Sequence, residues 1–222
     1  MVLHAVMAVT GIVMALFLLA HMYGNLKVFS GAAAFDDYAA HLRTLGEPFL
    51  PRGGALWVLR VVLLASVLAH AVAAFLLWHR MRSATGGRGS RRYATKKAPR
   101  GVQRTYASFT LRWGGIVLGL FVIYHLLHLT LNVIAPGGAS DSPYQRMVNG
   151  FSIWWVTLSY LLALLALGLH LRHGVWSAFA SLGANTGVRR RRHLNQLAYL
   201  VTAVIILGFV LPPLAIQFGM VT

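Results

Sequence analysis

The sequence predicts an all-α integral membrane protein, a bundle of five transmembrane helices. Three observations predict it. The 222 residues are 58% hydrophobic and only 11% charged, where a soluble domain carries about 25% charged residues. The apolar residues gather into five runs, each near the roughly 20 residues that a helix needs to cross a hydrocarbon core of about 30 Å. None of these runs alternates with the period of two that a lipid-spanning barrel shows.

The runs are Leu3–Phe29, Ala55–Trp78, Leu111–Ala135, Phe151–Leu171 (extending toward 180) and Leu194–Phe218. The first lacks a basic flank before it and a small-residue cleavage site after it, so it reads as a retained span and not as a signal peptide. Between the second and third runs, Ser83–Gly101 is rich in Gly, Ser, Arg and Lys, and a mobile loop is expected there. Pro212–Pro213 falls late in the fifth run and predicts a kink. Nothing marks a domain boundary, so residues 1–222 read as one transmembrane domain.

Charge sets the expected orientation. Twenty Lys and Arg face four Asp and Glu, a formal net charge of +16. Fifteen of the basic residues lie between runs two and three or between runs four and five, among them Arg189–Arg192. All four acids, Asp36, Asp37, Glu47 and Asp141, fall on the opposite side. The positive-inside rule then places the basic loops 79–110 and 181–193 in the cytoplasm, with the N-terminus inside and the C-terminus outside. These loops suit anionic lipid and a cytoplasmic partner. They lack the interleaved aromatics of a single-strand nucleic-acid groove, and nucleic acid is not expected. With no cysteine, disulfides, thiolate zinc sites, Cys-ligated iron–sulfur clusters and thiol nucleophiles are excluded.

Histidine is the remaining ligand-capable side chain. His4, His41, His79 and His193 sit at run ends or in loops, where interfacial or solvated roles are expected. His21, His70, His125, His128, His170 and His173 lie within runs one to four, and an ionisable residue inside a span is a functional candidate. At 1.5 Å per residue, His21, His70, His125 and His170 each lie past the midplane toward the exit end of their helix. Runs one and three travel outward, so His21 and His125 share the outer depth; His70 and His170 share the inner one. Two histidines at each of two depths suit two bis-imidazole haems, which must be b-type without cysteine. A zinc or copper site needs three or four ligands at one depth. His125/His128 and His170/His173 are i,i+3 neighbours on one helix face. One of each pair is the candidate ligand; the other is free to bond a propionate, a backbone carbonyl or a quinone.

The chain resembles a known family over nearly its whole length. Residues Met7-Ala8-Val9-Thr10-Gly11 through His21-Met22-Tyr23-Gly24-Asn25-Leu26-Lys27-Val28-Phe29 carry the most specific part. Leu42 to Pro48 leading to Trp57-Val58-Leu59-Arg60, Gly115 to His125-Leu126, and His170-x-x-His173-Gly174-Val175-Trp176-Ser177 are also similar. The family is the single-chain, five-helix di-haem cytochrome b membrane anchor of succinate dehydrogenase and fumarate reductase, in its actinobacterial-like form. The resemblance implies His21 and His125 as iron ligands of the haem distal to the cytoplasm, and His70 and His170 as those of the proximal haem. His125 is favoured over His128 by its spacing from Gly115, and His170 over His173 by the Gly174-x-Trp176 that follows.

The resemblance further implies a subunit of a succinate:quinone oxidoreductase in the bacterial cell membrane. Covalent FAD and iron–sulfur clusters would reside on separate flavoprotein and iron–sulfur subunits docked on the basic loops, and the complex could assemble as a trimer. Electrons would leave to a quinone, menaquinone by resemblance, near the distal haem, where the family places an acidic residue after the first helix. Glu47 occupies that place and is the candidate proton carrier. Arg60 is positioned to pair with it or with a propionate. Trp57 and Tyr23 are candidate ring contacts, although interfacial aromatics are common. The chain departs from the family in two respects. It has no basic tail before the first span. It also has Gly168 where members with a transmembrane proton pathway carry a Glu, which favours succinate oxidation. Two other readings compete: the cytochrome b subunit of another quinone-linked dehydrogenase, and a transporter or non-haem scaffold in which histidines join helices.

Overall fold

A computed structural model describes residues 2–85 and 102–222. It is 80% helical with no strand among the described residues, so the all-α class stands. Among the described residues seven α-helices follow in order: α1 Val2–Leu26, α2 Ala32–His41, α3 Gly54–Thr85, α4 Val102–His125, α5 Pro143–Phe151, α6 Trp154–Ser181 and α7 Val188–Gln217. Helices α1, α3, α4, α6 and α7, with the short turns that extend two of them, are long and apolar enough to cross a membrane. They are the five expected spans of a multi-pass membrane protein.

Several boundaries differ from those expected. The third span does not run to Ala135. Helix α4 gives way to a π turn over Leu126–Thr130, closed by Leu131 N–H donating to the Leu126 carbonyl at 2.8 Å, and Asn132 then adopts a left-handed φ of 57°. Helix α3 continues to Thr85 and α4 starts at Val102, so both enter the segment expected as a loop; residues 86–101, with most of its basic residues, lie outside the described residues. The fourth span starts at Trp154, and helix α7 passes through Pro212 and Pro213 to Gln217.

The spans are arranged around α1 and α6, which pack on each other. Helix α3 packs on α1, α4 packs on α6, and α7 lies against both α6 and α1. Helices α3 and α4 make at most sparse contact with each other among the described residues. The ring α3–α1–α6–α4 therefore encloses an interior spanned by two diagonals, α1 to α4 and α3 to α6. Apolar side chains point outward all along the spans, for instance Leu64, Leu120, Leu165 and Leu207, as lipid contact requires.

The tightest packing is at one end. Helices α2 and α5 pack on each other there, and Val28, Phe35, Tyr144, Met147, Phe151, Val156, Tyr160 and Ile216 form a continuous buried cluster beneath them. Ser142 caps α5 by accepting from Gln145 N–H at 3.1 Å, with Pro143 in the first turn. This is the favoured chemistry of a helix start. The Asp36 carboxylate of α2 joins that cap, accepting from Ser142 Oγ and from Tyr144 N–H at 3.0 Å. Arg146 donates to the carbonyls of Leu129 and Thr130 at the end of the π turn, and Tyr144 Oη donates to the Thr222 carbonyl at 3.0 Å. This cap end holds all four acids, and the opposite end holds Arg189–Arg192.

Candidate functional site

The six span histidines separate into two facing pairs and two outliers. His21 of α1 and His125 of α4 face each other across one diagonal, with ring centres 5.8 Å apart. His70 of α3 and His170 of α6 face each other across the other, at 6.4 Å. Two imidazoles on opposite faces of one metal, each bonded at about 2 Å, have ring centres about 6 Å apart. Both pairs match that separation. Among the described residues no three His, Cys, Asp or Glu side chains converge on one point.

The depth difference can be read from two helices. Gly11 of α1 lies beside His70, and Gly115 of α4 lies beside His170; a Cβ at either would stand 3.6 or 3.7 Å from the ring. His21 follows Gly11 by ten residues, and His125 follows Gly115 by ten. Ten helical residues rise about 15 Å. Both helices thus place the His21–His125 pair about 15 Å nearer the cap end.

The walls of the two pairs differ. His21 stacks on Phe17 at 5.2 Å and meets Phe209 at 5.6 Å. His125 meets Phe121 and Tyr160, each at 6.0 Å. The upper pair is therefore enclosed by aromatic rings. The lower pair is bordered by small residues: Thr10 and Gly11 at His70, Gly114 and Gly115 at His170.

Thr10 is the hydroxyl partner of His70. Its hydroxyl lies 2.7 Å from the Val6 carbonyl and 3.3 Å from the Met7 carbonyl, and with its proton directed to these the oxygen would accept from His70 Nδ1, 3.1 Å away. In that arrangement His70 would carry its proton on Nδ1 and have a bare Nε2, the form that binds a metal. His170 Nδ1 is buried with no hydrogen-bond partner among the described residues.

The i,i+3 neighbours are elsewhere. His128 lies on the π turn, 1% exposed, bonded through Nδ1 to Tyr160 Oη at 2.9 Å and ringed by Tyr124 and Phe151. His173 lies beside Arg172. Neither faces another span histidine. His4, His41, His79 and His193 are exposed.

Glu47 lies in an exposed turn after α2. Arg60 stacks on Trp57, with the guanidinium carbon 4.9 Å from a ring centre, and no ion pair joins it to Glu47 among the described residues. Tyr23 and Trp57 are 57% and 63% exposed, as aromatics at a membrane edge are. Gly168 abuts Ile206 of α7 at 3.4 Å from an added Cβ. Sequence reasoning missed Thr10 and Tyr160, since a hydroxyl within a helix carries no sign of which ring it will meet.

These residues suit a flat metal-centred group held by imidazole on both faces: separation, tautomer and the glycine borders are all compatible with it. No known protein family, curated protein or solved structure matches this chain.

Proposed function

We propose that the chain is a di-haem cytochrome b, the membrane anchor of a succinate:quinone oxidoreductase. The observation that carries the cytochrome reading is the two diagonal imidazole pairs, about 15 Å apart along two helices. In this reading His21 and His125 hold one haem b, and His70 and His170 the other. A haem supplies one-electron transfer; the chain supplies four imidazoles, an aromatic wall around one pair and small residues around the other.

The succinate dehydrogenase assignment rests on the sequence resemblance. Flavoprotein and iron–sulfur subunits would dock at the basic end, and menaquinone would be reduced at the cap end, in a bacterial cell membrane. Glu47 would deliver protons there; Glu47→Gln leaving succinate:quinone turnover unchanged would remove it from the mechanism.

Purified protein should show a reduced b-type α band and about two haems per chain, from the four span ligands. His70→Ala should lose one haem and remain in the membrane. Absence of the α band would defeat the cytochrome reading. Co-purification with a hydrogenase or formate dehydrogenase, in place of a succinate-oxidising flavoprotein, would redirect the assignment to another quinone-linked dehydrogenase.

A further inference from the structure

The Tyr160 hydroxyl lies between two imidazoles. It is 2.9 Å from His128 Nδ1 and 3.4 Å from His125 Nδ1. A phenol has one proton, so it can donate to one of these nitrogens and must accept from the other. The two possible arrangements give His125 opposite tautomers. Donation to His125 Nδ1 leaves the proton on Nε2. Donation to His128 makes the phenol oxygen the acceptor for His125 Nδ1–H and leaves His125 Nε2 bare.

We propose that Tyr160 is a positioning residue for His125, holding it in the tautomer with Nε2 bare, and that His128 sets the direction by taking the phenol proton. The proposal rests on the haem reading, because a bare Nε2 on His125 is what an iron there requires. His128 is placed for the part, its own proton then lying on Nε2, which is buried with no partner among the described residues. The π turn carries it into the core, its ring stacks on Tyr124 at 5.6 Å, and Gly150 leaves no room on its other side, since a Cβ there would stand 2.5 Å from Nε2. A ring so enclosed keeps Nδ1 on the phenol. Phe121 and Phe151 hold the Tyr160 ring edge-to-face at 4.9 and 4.8 Å, so the hydroxyl stays in place. Thr10 performs the same service for His70 through an unrelated chain of bonds. Each haem therefore has its own hydroxyl partner, on a different helix.

An acceptor on the second ring nitrogen raises the basicity of a metal-bound imidazole and favours the more highly charged oxidised iron. Removing it should raise the midpoint potential of that haem. Each tenfold loss of preference for the oxidised iron reads as about 59 mV for one electron.

The test is a redox titration of purified wild-type, Tyr160→Phe and Thr10→Val proteins, each followed optically. Tyr160→Phe should raise one of the two potentials and leave the other in place. Thr10→Val should raise the other, and Thr10→Ser should restore it. His128→Leu, which replaces the acceptor by an apolar side chain of similar size, should move the same haem as Tyr160→Phe and serves if that variant does not accumulate. Both haems retained with unmoved potentials in Tyr160→Phe, or in His128→Leu where it stands in, would overturn the proposal, as would equal movement of both. A wild-type protein without an α band defeats the haem reading before any variant is compared.

Discussion

Gly150 and Gly11 both face a histidine, and the space in front of them differs. A Cβ at Gly150 would come within 2.6 Å of two atoms of His128, a ring held on every side. At Gly11 the nearest atom of His70 is 3.6 Å away, an ordinary contact. Gly150→Ala should therefore destabilise by about 1–3 kcal/mol, the usual cost of overpacking, while Gly11→Ala should be close to neutral. Thermal unfolding in detergent would separate them; equal effects would mean that the His128 pocket relaxes. The identities of the facing histidines were legible from depth counting and resemblance, because helical rise is regular. The place of His128 was not, because the turn that carries it departs from α geometry, and the π bond from Leu131 to Leu126 has no sequence signature.

Helices α2 and α5 show what run-length reasoning passes over. Each is short and partly polar, and neither reaches the length of a span. Ser142-Pro143 is a recognisable helix start, and it was the available signal for α5. Its partner was invisible, since Asp36 and Ser142 are far apart in sequence and meet only when the spans are assembled. Asp36→Ala would remove both bonds to the α5 start. Hydrogen bonds to a charged group contribute about 1.5–3 kcal/mol, so amide exchange across Tyr144–Phe151 should quicken on the order of tenfold or more. Exchange within α6 should be unchanged. Unaltered protection of α5 would show that the buried apolar cluster alone retains it.

At the scale of the molecule, the separation of charge becomes a test of orientation. The chain contains no cysteine, so one introduced thiol reports one position. Asp141→Cys, at the cap end, should react with a membrane-impermeant maleimide from outside intact cells, and Thr186→Cys, at the basic end, only after the membrane is opened. The reverse pattern would refute the positive-inside assignment.

The number of spans and the two ends follow from the sequence, since hydrophobic length and charge bias are properties of a chain read locally; helical rise gave the two depths, and the resemblance chose the four facing histidines from the six in the spans. The diagonals, the cap that joins α2 to α5, and the two hydroxyl–imidazole contacts come from the tertiary structure alone. They depend on how helices rotate and pack against one another, and packing is decided by shape at contacts between residues distant in the chain.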